Sequence, residues 1–169
     1  TGKVDSKFGL SPQEFLQAVQ SCLTHELPLD GLHFHLGSQM HSPDPINSAI
    51  EIALDLIKDC QNQTGWLPAV FCPGGGCGVP YHEADLPYMP LENFIQSIAE
   101  KLTSGCRARQ LPNFRLQLEP GRSLVARAGV AVYRIGSAKH TGTRSYVLVD
   151  GGLADNPRPA LYQARYTAL

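Results

Sequence analysis

Pro68-Ala69-Val70-Phe71-Cys72-Pro73-Gly74-Gly75-Gly76-Cys77-Gly78 is the stretch on which the fold turns. Its first half has the apolar composition of a buried strand, and its second half is a glycine run suited only to a turn or loop. Similar strand-to-loop passages lie on either side. Leu29 to Leu36 runs into His35-Leu36-Gly37-Ser38, and Phe114 to Leu118 runs into Glu119-Pro120-Gly121-Arg122. Between the passages, Ile46, Ile50, Ala53, Leu54 and Ile57 recur at helical spacing after Pro43 and Pro45. Leu91, Phe94, Ile95, Ile98 and Leu102 do the same after Pro90. Upstream, Ser11-Pro12-Gln13-Glu14 is a capping box with proline at the first helical position, leading into Phe15, Leu16, Val19, Cys22 and Leu23. Alternating helix and strand predict an α/β fold with parallel strands, whose strand-end loops converge on one ligand-binding face.

The rhythm changes after Arg122. Val125 to Ile135 and Ser145 to Val149 are rich in valine, alanine and tyrosine, while Gly136 to Arg144 has turn composition. The boundary is expected near Arg127, giving residues 1–127 to a partial (β/α) barrel of parallel strands and 128–169 to the first strands of a β domain. A complete barrel takes ~250 residues. The 169 residues here begin at Thr1 and stop soon after a motif, so the sequence is expected to be an internal fragment. A net charge of -1 with no basic stripe argues against a nucleic-acid partner, and no apolar run approaches the ~20 residues of a membrane helix. Cys22, Cys60, Cys72, Cys77 and Cys106 are odd in number and contain no C-x-x-C pair, which suits free thiols in a reducing cytoplasm.

Each cluster admits more than one chemistry. In Gly74 to Gly78, the freedom of glycine at positive φ lets successive amides turn towards one anion, or serves only a tight turn. A dinucleotide fingerprint is disfavoured, because Tyr81 stands where its last glycine belongs. His33 and His35 alternate on a strand and share a face, as metal ligands do in barrel hydrolases; His33 alone also suits a core histidine. The later strand ends carry glycines and an arginine rather than further ligands, so no metal site is predicted. Glu119 is either a surface carboxylate before a turn or a buried one that requires a partner. Arg158 and Tyr162 stand four residues apart, and composition alone makes the arginine a solvated one.

The clusters in this order resemble the diaminopimelate decarboxylases, alanine-racemase-like pyridoxal phosphate enzymes that include ornithine and arginine decarboxylases. The resemblance runs from Asp5-Ser6-Lys7-Phe8-Gly9-Leu10 through His33-Phe34-His35-Leu36-Gly37-Ser38-Gln39, the glycine run with Val79-Pro80-Tyr81, and Glu119-Pro120-Gly121-Arg122. It continues to Val149-Asp150-Gly151-Gly152 and Arg158-Pro159-Ala160-Leu161-Tyr162. It implies part of a carboxy-lyase that converts meso-diaminopimelate to L-lysine and carbon dioxide, the last step of lysine biosynthesis, with pyridoxal 5'-phosphate as cofactor. His35 would pack on the cofactor ring, Ser38 near its phosphate or substituents, and Gly75, Gly76 and Gly121 would offer amides to the phosphate. Glu119, followed by Pro120, would keep the ring nitrogen protonated, making the ring an electron sink. Arg122 would serve phosphate or substrate and, with Arg158 and Tyr162, hold the substrate's distal carboxylate.

The same resemblance implies that the Schiff-base lysine lies upstream, since neither Lys3 nor Lys7 matches its motif. It also implies a cysteine-bearing segment downstream, so the fragment alone is expected to be inactive. Cys77 replaces the leucine or tryptophan common in the family's glycine run. A cytoplasmic homodimer with no nucleic-acid or membrane partner is the expected whole protein. The alternatives are a decarboxylase of ornithine, arginine or carboxynorspermidine, a metal-dependent barrel hydrolase, and a non-catalytic binding relative.

Overall fold

The computed structural model describes residues 6–81 and 89–167; Lys3 and Asp5 lie outside the described residues. The chain divides into two compact units, Thr1–Val79 with Pro87–Val125, and Pro80–Leu86 with Ala126–Leu169.

The first unit is built on parallel strands β1 (Gly31–His33), β2 (Val70–Cys72) and β3 (Arg115–Leu116), ordered β1-β2-β3. Helix α1 (Pro12–Thr24) precedes β1, and helices α2 (Asp44–Thr64) and α3 (Leu91–Ala108) connect the strands. The capping box forms as its sequence dictates: Glu14 N–H donates to Ser11 Oγ at 3.3 Å and Ser11 N–H to Glu14 Oε2 at 2.7 Å. Helix α2 stops at Gly65, whose φ of +77° is the left-handed conformation that ends helices, and whose N–H reaches Gln61 O at 2.8 Å.

The side-chain alternation of each strand sorts the two sheet faces. Leu32, Phe71 and Leu116 pack with Ile46, Ile50, Leu54 and Ile57 of α2 and Phe94, Ile98 and Leu102 of α3. Phe71 lies at the centre, stacked on Phe114 at 6.4 Å and edge-on to Phe34 at 5.9 Å. Val19, Cys60 and Trp66 form a second cluster that docks α1, with the Trp66 indole N–H donating to Leu29 O at 2.9 Å. Beside β1 lies a cavity of about 610 Å³ lined by Phe8, Leu10, Phe15, Phe34, Leu36 and Ile52. A closed barrel would pair a further β/α unit against this strand.

At the surface, α3 is tied to α2 through Arg109. Its Nε donates to Asp55 Oδ1 at 2.7 Å and its Nη2 to Glu51 Oε2 at 2.7 Å, while Lys101 also pairs with Glu51. Hydrogen bonds from Lys101 and Arg109 hold the Glu51 carboxyl below its ordinary 4.5, and Arg109 holds that of Asp55 below 3.8. A carboxyl with a depressed folded-state pKa stabilises the fold above its unfolded pKa and loses that contribution as pH falls through the folded value. Because both carboxylates are substantially exposed, the network contributes no more than about 1 kcal/mol. In denaturation of the full-length protein, Arg109→Met should therefore be slightly less stable than wild type at neutral pH. The gap should narrow once the pH falls below the ordinary carboxylate values. A gap independent of pH would assign Arg109 to packing alone.

The second unit contains an antiparallel hairpin of β4 (Ile135–Thr141) and β5 (Arg144–Val149), after a short helix α4 (Gly121–Val125) has closed the first unit. This corrects the expectation that strand structure fills Val125 to Ile135 and that Gly136 to Arg144 is a turn. Thr141 pairs with Arg144 across Gly142-Thr143, and Gly142 at φ +53° supplies the positive φ that a two-residue hairpin turn requires. Pairing thus overrides the weak strand composition of Gly136 to His140. Every residue of the hairpin strands is exposed. Helix α5 (Arg158–Tyr162) completes the described elements, with the Arg158 guanidinium 5.4 Å from the centre of the Tyr162 ring.

Candidate functional site

The sheet face opposite α2 and α3 carries the polar groups. His33 and Cys72 are register partners, and pairing continues beyond the regular strands: Phe34 N–H donates to Cys72 O at 3.0 Å, Gln117 N–H to Phe71 O at 3.0 Å, and Glu119 N–H to Gly74 O at 2.9 Å. Alternation from Leu32, Phe71 and Leu116 then places His33, His35, Cys72, Gln117 and Glu119 together on the face away from the helices. His33 Nε2 lies 3.2 Å from Glu119 Oε2. Since an ionised carboxylate only accepts, the imidazole must present Nε2–H to it. Cys72 lies buried beside them; burial pushes its thiol up, against a backbone hydrogen bond from Gly74.

The glycine run folds back between two other loops. A Cβ on Gly75 would stand 2.0 Å from Glu119 O, and one on Gly76, which adopts φ +96°, would stand 2.1 Å from Gly37 O. Only glycine permits both approaches. Beneath His35, Gly74 at φ +77° leaves 2.8 Å between such a Cβ and the imidazole Nδ1. Met40 N–H donates to Gly76 O at 3.0 Å and Gly78 N–H to Met40 O at 2.8 Å, while Gln39 clamps Val79 through Nε2–H to O at 3.1 Å and N–H to Oε1 at 3.0 Å. No acceptor among the described residues takes the amide hydrogens of Gly75 and Gly76.

On the remaining side, Arg122 Nε donates to Ser38 Oγ at 3.1 Å, joining the first and third strand-end loops. The Gly121 N–H turns to Glu119 O at 2.9 Å, and Pro120 is partly buried within the same turn. The first unit therefore gathers His35, Ser38, Gly75, Gly76, Glu119, Gly121 and Arg122 at one end of its strands, with Glu119 half exposed rather than enclosed. Arg158 and Tyr162 belong to the second unit, where they contact each other. Two contacts escape the sequence reading. His33, which the sequence leaves open between a metal ligand and a core histidine, pairs with Glu119, and Gln39, to which the sequence assigns no role, ties the loop in place through its carboxamide.

This end of the sheet suits a phosphate-bearing, protonated heteroaromatic ring. The glycine run packs directly against the two neighbouring strand-end loops, its acceptor-free amides and a nearby guanidinium suit a dianion, and a carboxylate accepts from an imidazole N–H beside them. Comparison with known proteins follows the same line. A diaminopimelate decarboxylase of Actinosynnema pretiosum subsp. auranticum is 40% identical over 169 residues, an alignment covering 98% of this chain and 38% of the relative. A crystal structure of diaminopimelate decarboxylase from M. jannaschii in complex with L-lysine superposes with a TM-score of 0.85 at 28% identity, covering 97% of this chain and 38% of that one. A lysine/ornithine decarboxylase from Vibrio vulnificus in complex with cadaverine gives 0.79 at 25% identity, covering 96% and 43%. The chain thus spans under half the length of these relatives. Residues 1–126, the stretch that holds every strand-end group described above, match the family model for the pyridoxal binding domain of pyridoxal-dependent decarboxylases, and the chain belongs to that family.

Proposed function

We propose that this chain is part of a pyridoxal-phosphate-dependent diaminopimelate decarboxylase, which releases carbon dioxide from meso-diaminopimelate to give L-lysine. The observation that carries the reading is the convergence of the Glu119 carboxylate with the Gly75-Gly76 loop and the Ser38–Arg122 pair at one end of the sheet. When bound, the cofactor supplies a ring that accepts the electron pair left behind as the α-carboxylate departs. Glu119 would hold the proton on the ring nitrogen, and His33 Nε2–H fixes the orientation of that carboxylate. His35 would pack on the ring, and the amides of Gly75 and Gly76, with Ser38 and Arg122, would hold the phosphate.

Choice of substrate rests on the likeness to diaminopimelate decarboxylases along the whole chain and on the Arg158–Tyr162 pair. A guanidinium beside a phenol suits a second carboxylate, which ornithine and lysine lack. The full-length protein is further read as a homodimer of a reducing compartment acting on a small amino acid; among the described residues no helix is long and apolar enough to cross a membrane.

The purified full-length protein should show visible cofactor absorbance and release carbon dioxide from meso-diaminopimelate in preference to ornithine, arginine or lysine. Preference for one of those would move the assignment to the related decarboxylases, and absence of bound cofactor would remove it altogether. Arg158→Ala should weaken use of diaminopimelate by about 2 kcal/mol, roughly 30-fold, the scale of a charge-assisted hydrogen bond, while cofactor absorbance persists. An equal loss on substrates without a second carboxylate would give Arg158 a structural role instead.

A further inference from the structure

A ring nitrogen of His33, Cys72 Sγ and a carboxylate oxygen of Glu119 all lie within 4.8 Å of one another, the one such set of potential metal ligands among the described residues. They come from three successive strand ends. His33 and Cys72 face each other in parallel register, and Glu119 closes the triangle at 3.2 Å from the imidazole nitrogen. In a tetrahedral zinc site, ligand atoms about 2.0–2.1 Å from the metal are separated by about 3.3 Å, so one edge of the triangle already has the required length. The donor types are also those of zinc: an imidazole nitrogen, a thiolate and a carboxylate oxygen. Cys72 reaches the group from its buried side, whereas His33 and Glu119 have side chains 52% and 51% exposed, leaving an open approach and a fourth position for water.

We propose that the cofactor-free protein captures one thiophilic divalent cation of the zinc class through His33, Cys72 and Glu119, and that this cation and the cofactor exclude each other. Coordination forms metal–sulfur, metal–nitrogen and metal–oxygen bonds: the Cys72 thiol proton leaves to solvent, the His33 ring proton passes from Nε2 to Nδ1 through solvent as the hydrogen bond to Glu119 is given up, and no electron is transferred. The mutual exclusion rests on the reading of Glu119 as the partner of the ring nitrogen, because a carboxylate holding a cation in this triangle is no longer available to the ring. The coordination itself stands on the three ligands alone. Metal loading would then keep newly made protein from taking up its cofactor until the cation is withdrawn.

The test uses the full-length protein stripped of cofactor and titrated with cadmium, whose bond to a thiolate gives an ultraviolet charge-transfer band. One equivalent should bind, and the band should vanish or require far more cadmium in Cys72→Ser. His33→Gln, altered at an exposed position, should weaken binding by at least the roughly 10- to 100-fold seen when even outer-shell partners of metal ligands are lost. Cadmium-loaded protein should fail to develop visible cofactor absorbance, and cofactor-loaded protein should give no band. A band of the same strength and affinity in wild type, Cys72→Ser and His33→Gln would overturn the site. Simultaneous binding of cadmium at Cys72 and of cofactor would overturn the exclusion. Cofactor uptake by metal-free protein is measured alongside, and its failure would count against the cofactor reading and not against the metal ligands.

Discussion

Gly76→Ala in the full-length protein should abolish tight cofactor binding, with affinity falling on the order of 10²-fold or more, while the sheet and its helices remain folded. At φ +96° a side chain is already strained, by about 1–3 kcal/mol for such backbone conformations. The added Cβ would also stand 2.1 Å from Gly37 O and 2.7 Å from Met40 Cε. The methionine can move, but the carbonyl cannot easily do so, because Met40 and Gly78 bind the two loops together through backbone hydrogen bonds of 3.0 and 2.8 Å. Relief therefore requires parting the glycine loop from the His35–Ser38 loop, which disperses the groups proposed to meet the phosphate. The core of Phe71, Ile50, Leu54 and Ile98 lies on the other face and is untouched. Cofactor titration by absorbance, with circular dichroism as the control for folding, measures the effect. Wild-type affinity would mean that the phosphate lies elsewhere.

Glu119→Gln is expected to lower turnover at saturating cofactor on the order of 10²- to 10³-fold, the scale of losing one electrostatic contact made to developing charge. The amide keeps the size of the carboxylate, and its oxygen can still accept from His33 Nε2–H across the 3.2 Å now observed. What it cannot do is hold a proton on the ring nitrogen. Folding and cofactor retention should survive, which separates this variant from Gly76→Ala. Unchanged turnover in a cofactor-loaded Glu119→Gln enzyme would show that the ring is not partnered by this residue.

Local signals were legible wherever a short run of chain determines its own conformation. Ser11-Pro12-Gln13-Glu14 forms the cap it spells, and the Ile46 to Ile57 and Phe94 to Leu102 stripes face the sheet because burial of one helical face is their only economical arrangement. The strands were read too long. Leu29 to Leu36 contributes only Gly31–His33 to regular pairing, and Phe114 to Leu118 only Arg115–Leu116, where Pro73 on the neighbouring strand has no N–H with which to extend the ladder. Strand β4 was hidden because Gly136, Ser137, Lys139 and His140 have little strand composition, and their conformation is imposed by β5 across the Gly142 turn. At the candidate site, sequence order and residue type gave the cast but not the contacts. That His33 meets Glu119, or that Gln39 holds Val79, depends on register between segments far apart in the chain, which no local pattern records.

The pairs that join the strand ends have a consequence for the order of folding. His33 meets Glu119 across 86 residues and Ser38 meets Arg122 across 84, whereas α1 and its cap are complete within a single helical segment. Each long closure incurs its chain-entropy cost before its own contact forms, so contacts of this span are slow to arrive. They cannot form until α2, β2, α3 and β3 are in sequence-correct positions. The strand-end groups thus assemble last, and a ligand that needs all of them recognises only chains that have finished this unit. Recovery of ligand binding after dilution from denaturant should accordingly lag behind recovery of helical signal, and the interval between the two would time the closure of the sheet.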